Sequence, residues 1–134
     1  MKYLLDTSIL LWYTNADEQL PKEIVDLIED RENRILVSVV SLMELVIKRK
    51  INKLPEFKLE IENFQNSLLQ KDIEILPVNT EVLKAYESLV FNENHKDPFD
   101  RFILSTGWTS NSIIITSDSK FKGYRGGFEI KFVN

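Results

Sequence analysis

Asp6, Glu44, Asp100 and Asp118 stand where short apolar runs end or helical segments begin. Asp6 closes the run Tyr3-Leu4-Leu5, and Asp118 lies just beyond Ile113-Ile114-Ile115-Thr116. If those runs are parallel strands, both carboxylates sit at strand carboxyl ends, where α/β sheets collect their ligands. Carboxylates brought together repel, and each holds its proton more tightly unless a cation joins them. A divalent cation is the simplest partner. An all-oxygen donor set suits magnesium, which keeps several waters of its own. The chain has no cysteine, so thiolate metal sites are excluded.

Each acid also has a plain structural use. Asp6-Thr7-Ser8 is a helix start, and Thr116-Ser117-Asp118-Ser119 is a turn. Ser41-Leu42-Met43-Glu44 has the spacing of a capping box. In Asp97-Pro98-Phe99-Asp100, Asp97 reads as the cap and Pro98 as the first helical residue. The hydroxyls of Thr7, Ser8, Thr116 and Ser117 lie beside the acids, where they serve metal-bound waters, phosphate oxygens or ordinary turns. Lys48 and Arg49, with Lys50 and Lys53, follow Glu44 on one helix and read as contacts to an anionic partner or a solvated helix end. Arg101 follows Asp100 and pairs with an acid or meets phosphate. His95, the only histidine, is a general base or a hydrogen-bonding loop residue. Trp12, Tyr13 and Trp108 read as core or dimer contacts rather than base-stacking platforms.

Elements that could hold these residues alternate along the chain. Strands are expected over Lys2 to Asp6, Arg34 to Ser38, Ile73 to Leu76, Ser112 to Thr116 and Phe128 to Val133. Helices are expected over Ser8 to Asn15, Pro21 to Glu32, Val39 to Ile51, Lys58 to Lys71, Thr80 to Phe91 and Asp97 to Thr109. That alternation predicts an α/β fold: a three-layer α/β/α sandwich whose mainly parallel central sheet has about five strands. Sequence leaves the strand order open.

The length of 134 residues fits a single domain, and a 43% hydrophobic share is enough for one core. The apolar run at the N-terminus is interrupted by Asp6 too early for a signal peptide. No stretch reaches the roughly 18 apolar residues of a membrane span. A soluble, cytoplasmic protein without a membrane partner is the expectation. The net charge of −4 does not suit nucleic-acid binding by electrostatics alone. A bound cation would reverse the field where the acids gather.

The sequence resembles the PIN-domain family over its full length, and within it the VapC-like toxins of bacterial toxin–antitoxin pairs. Tyr3-Leu4-Leu5-Asp6-Thr7-Ser8 resembles the family's opening hhhDTS/N. Ser38-Val39-Val40-Ser41-Leu42-Met43-Glu44-Leu45 is similar to its SxxSxxEL helix. His95-Lys96-Asp97-Pro98-Phe99-Asp100-Arg101 is similar to the HxDPFDR signature of one branch, the most specific match. Ile115-Thr116-Ser117-Asp118 is similar to the LxTxD strand end. The family helix D-x-h-h-A-x-x-A is matched from Asp100 with Leu104 and Gly107 in place of alanine. The resemblance implies a PIN-like fold with Asp6, Glu44, Asp100 and Asp118 as catalytic, metal-binding acids. Asp97 would be a secondary fifth acid. It further implies one or two Mg2+ or Mn2+ ions, metal-assisted hydrolysis of RNA, a cognate antitoxin protein and a homodimer.

Other classes fit less well. A haloacid-dehalogenase-like phosphatase needs a second acid two residues after its nucleophile, where this chain has Ser8. A receiver domain needs an aspartate after its third strand, and Ile73-Glu74-Ile75-Leu76-Pro77-Val78-Asn79 has none. Another Asp/Mg-dependent phosphate-ester hydrolase and a catalytically silent PIN-like binding module remain the alternatives.

Overall fold

A computed structural model describes residues 1–90, 97–124 and 128–133. His95 and the expected helix end at Phe91 lie outside the described residues. The strands are β1 (Lys2–Leu5), β2 (Arg34–Ser38), β3 (Ile73–Leu76), β4 (Ile113–Thr116) and β5 (Ile130–Phe132). All pairings between them are parallel, in the order β3-β2-β1-β4-β5. The helices are α1 (Thr7–Thr14), α2 (Lys22–Glu29), α3 (Val39–Lys50), α4 (Ile61–Gln70), α5 (Thr80–Ser88) and α6 (Pro98–Ser110). A 3-10 helix, Ser119–Gly123, follows β4 where the sequence pattern suggests only a turn.

Alternation along the strands explains the layers. Successive side chains point to opposite faces of a sheet. Leu5, Val37 and Ile115 pack on one side with Leu10, Ile24, Leu45 and Phe64 from α1 to α4. Leu4, Leu36 and Ile114 pack on the other with Ile103 and Leu104 of α6. Both faces are covered, so the strands read as continuous apolar runs. Helix α5 joins the second layer through Tyr86, whose ring lies 4.4 Å from that of Phe102.

Gly107 explains one departure from the family pattern. A Cβ there would stand 2.6 Å from Ile114 Cδ1, so α6 approaches β4 only because the side chain is missing.

Some boundaries differ from expectation. The Ser41–Glu44 capping box does not form. The helix starts at Val39, as expected, with Ser38 as its cap accepting from the Val40 amide at 3.0 Å. Pro21 is the cap of α2 rather than its first residue, and α4 starts at Ile61 rather than Lys58.

The topology fixes where chemistry is possible. From β1 the chain moves outward to β2 and β3, then crosses back to β4 on the other side of β1. Strand order therefore reverses beside β1. The crevice at such a reversal, at the carboxyl ends, is where α/β sheets bind ligands.

Candidate active site

Register puts Asp6 at that crevice. Leu5 pairs with Val37 on one side and Ile115 on the other. The Asp6 amide continues the ladder to the Ile115 carbonyl at 2.9 Å. Its side chain then caps α1, with Oδ1 accepting from the Thr7 amide at 2.8 Å. The other oxygen, Oδ2, accepts from the Thr116 hydroxyl at 2.6 Å. Asp6 is buried, at 4% exposure.

Asp118 arrives from β4. Its amide donates to Thr116 Oγ1 at 3.0 Å, and its Oδ1 caps the 3-10 helix through the Lys120 amide at 2.9 Å. Asp97 caps α6 by accepting from the Phe99 amide at 2.9 Å. Pro98 follows as the first helical residue, and Asp100 lies in the first turn. Glu44 is a buried residue of α3, and its Oε2 is 2.8 Å from the Lys48 ammonium one turn on.

These groups line one open cavity of about 490 Å3: Asp6, Glu44, Asp97, Asp100 and Asp118, with Thr7, Ser8, Ser117 and Lys48. Capping and cavity lining coexist in Asp6, Asp97 and Asp118, so the structural and chemical readings of those acids do not exclude each other. Helix amino ends carry partial positive charge, which helps hold carboxylates together there.

Electrostatics record the crowding. Asp6 has its pKa pushed up to about 7, by burial first and then by the charges of Asp100 and Glu44, against the hydrogen bonds from Thr116 and Thr7. Asp100 is also pushed up to about 7, by burial and then by Asp97, Asp118 and Glu44, with Lys120 opposing. Burial comes first for both, and the like charge of the neighbouring acids adds to it; a cation would neutralise that charge. The donors are all oxygen, the chemistry that Mg2+ or Mn2+ prefers. Among the described residues, no group of three acids is close enough to form a ready coordination sphere. Asp6 is engaged with Thr7 and Thr116, and Glu44 with Lys48. The residues fit a hard divalent ion by charge and donor type.

The hydroxyls divide into two kinds. Thr7 Oγ1 donates to Ser41 Oγ at 2.9 Å, tying α1 to α3, and buried Thr116 holds Asp6. Ser8 and Ser117 bond to each other at 3.1 Å in the cavity lining. Of the three expected substrate-binding cations, only Lys48 lines the cavity. Arg49 lies 4.3 Å over the Phe57 ring and donates to the Leu59 carbonyl, a packing role. Arg101 turns toward Tyr86 and Tyr124, whose hydroxyls favour its charged form against its burial. Glu56 and Trp12 also line the cavity. Glu56 lies in a loop with no pattern to mark it, whereas Trp12 packs against the core, as expected, and also borders the cavity. Trp108 is 56% exposed beside Phe128, away from the acids.

Fold and site together define an α/β protein with an acidic cavity at the carboxyl edge of a parallel sheet. The PIN domain family model matches residues 3–127, and the chain belongs to the PIN-domain family. Its fold is shared with solved toxin–antitoxin structures. One is a chain of VapBC2 from Rickettsia felis bound to promoter DNA, at 19% identity and a TM-score of 0.67, covering 100% of both chains. Another is a chain of DNA-bound VapBC from Salmonella typhimurium, at 18% identity and 0.67, covering 100% of this chain and 99% of that one. A third is a chain of VapBC-5 from Mycobacterium tuberculosis, at 19% and 0.59, covering 98% and 97%. At these identities the likeness concerns the fold. A search of the curated proteins finds no match.

Proposed function

We propose that the chain, as one PIN domain over residues 1–134, is a metal-dependent endoribonuclease and the toxin of a toxin–antitoxin pair. One observation carries this reading: Asp6, Glu44, Asp97, Asp100 and Asp118 line a single cavity at the carboxyl edge of the sheet. Membership of the PIN-domain family, whose members are generally nucleases, supports it. Asp6, Glu44, Asp100 and Asp118 are the residues that would hold one or two Mg2+ or Mn2+ ions. When bound, the metal supplies positive charge for the phosphate and an activated water. Thr116 and the Thr7 amide fix the orientation of Asp6. Ser8 and Ser117 offer hydroxyls at the cavity wall for phosphate oxygens.

The same cavity accounts for the proposed partner. An antitoxin that inserts a lysine or arginine among the acids blocks them by competing with metal. A homodimer is supported by Met43, Val46, Ile47 and Ile51, exposed apolar residues spaced along and just past α3. No described helix is long and apolar enough to cross a membrane. A toxin that acts on cellular RNA works in the cytoplasm, the location proposed here for this chain.

Incubating the protein with generic RNA and Mg2+ or Mn2+, then adding EDTA, tests the reading. Cleavage should appear with metal and stop with chelation. Asp6→Asn, Glu44→Gln, Asp100→Asn and Asp118→Asn should each lower it by more than the roughly 10- to 100-fold that losing a supporting residue costs. Four variants that cleave like the wild type, or cleavage that persists in EDTA, would overturn it.

A further inference from the structure

Lys48 is the only basic residue that the described residues contribute to the cavity lining. Its ammonium stands 2.8 Å from Glu44 Oε2, and the two side chains differ sharply in exposure, 47% for Lys48 and 9% for Glu44. Among the described residues, no other cation pairs with Glu44. An exposed helix pair at this spacing is ordinary and contributes little. This pair is different, because the acid is buried and five further acids, Asp6, Glu56, Asp97, Asp100 and Asp118, share the cavity. A lone charge left at Glu44 would be costly. The lysine therefore reaches in from solvent to the place where a bound cation would be held.

We propose that Lys48 is the resident counter-ion of the cavity, which a divalent metal must displace from Glu44 before the site loads. The inference rests on the metal-dependent reading above and adds a residue that sets how much metal is needed. Displacement is structurally simple. The lysine stem is flexible and already half in solvent, so the ammonium can swing outward without disturbing α3.

Calorimetric titration of the full chain with Mn2+ alone, without RNA, tests this. Lys48→Met should bind Mn2+ about five- to tenfold more tightly than the wild type, the scale of one ion pair at a half-buried site. Lys50→Met, on the same helix but outside the cavity lining, should stay within about twofold, since exposed charges are well screened. Lys48→Arg, which keeps the charge and grips a carboxylate with a planar fork, should bind Mn2+ no more tightly than the wild type. That second variant keeps the test open if Lys48→Met folds poorly. Equal or weaker binding by Lys48→Met, or tighter binding by Lys48→Arg, overturns the counter-ion role while wild-type Mn2+ binding leaves the nuclease reading standing. Failure of both wild type and Lys48→Met to bind Mn2+ overturns the two together.

Discussion

The Thr116 hydroxyl donates to Asp6 Oδ2 at 2.6 Å, joining the ends of β4 and β1 across 110 residues of chain. Thr116 Oγ1 in turn accepts from the Asp118 amide at 3.0 Å, so one side chain orders two acids of the cavity. Thr116→Val keeps the shape and removes both bonds. It should cost about 1–3 kcal/mol, the penalty for leaving buried polar groups unpaired. It should also push the Asp6 pKa higher, because that hydrogen bond opposes the rise. Urea denaturation and the pH dependence of cleavage check this, with Thr116→Ser as the variant that keeps the hydroxyl. Wild-type stability and an unmoved pH profile in Thr116→Val would deny Thr116 its positioning role.

Metal-free protein should lose stability as pH rises toward and through 7. Asp6 and Asp100 are raised to about 7 in the folded chain. An unfolded aspartate titrates near 3.9. Between those values the folded state binds more protons than the unfolded state, so unfolding becomes easier with increasing pH. Urea midpoints in EDTA should be higher at pH 5.5 than at pH 8, and Asp100→Asn should flatten the difference. Midpoints that climb steadily over this interval would contradict the raised values. For the same reason, metal binding and cleavage should strengthen toward and above pH 7, where protons no longer compete.

Asp97 and Asp100 should separate by their variants. Asp97→Ala removes the cap on the Phe99 amide and should cost about 1 kcal/mol of stability, with only partial loss of cleavage. Asp100→Ala should abolish cleavage and leave the metal-free melting temperature unchanged or higher, since it relieves repulsion. Mn2+ should raise the melting temperature of Asp97→Ala and raise that of Asp100→Ala far less. Asp97 is the foremost charged neighbour raising the Asp100 pKa, so Asp97→Ala should also move the pH profile toward acid. An exchange of these behaviours would make Asp97 the ligand.

Gly107→Ala should destabilise the protein, although alanine favours a helix by about 1 kcal/mol over glycine. The new methyl meets buried Ile114 at 2.6 Å, and overpacking a core costs about 1–3 kcal/mol. Thermal melts decide the sign, and a higher melting temperature would mean that Ile114 moves aside easily.

Much of the site was legible because its acids sit at places that sequence marks well. Pro98 pins the start of α6, and with it the positions of Asp97 as cap and Asp100 in the first turn. The isoleucine run ends β4 at Thr116 and locates Asp118 beyond it. Less legible were features set by distant partners. Ser41 has the spacing of a cap, yet it is buried and accepts from Thr7, because register with β1 lets Ser38 take that place. Arg101 adjoins Asp100 in sequence, but the turn of the helix sends it toward Tyr86 and Tyr124. Glu44 and Lys48 stand four apart on one helix, a spacing that already favours a pair, whereas the burial of Glu44 among the other acids emerges only with the fold.

The placement of β1 between β2 and β4 has a consequence for synthesis. A ribosome releases β1 first and supplies its β2 neighbour soon after, whereas its β4 neighbour emerges only after α6. Through most of translation, Asp6 lacks the hydroxyl of Thr116, and the cavity lacks Asp100 and Asp118. The acidic centre is therefore among the last parts of the molecule to be completed. A chain that stops short of β4 carries Asp6, Glu44, Asp97 and Asp100 but lacks Thr116 and Asp118, so the order of strands leaves the cavity unfinished until β4 pairs with β1.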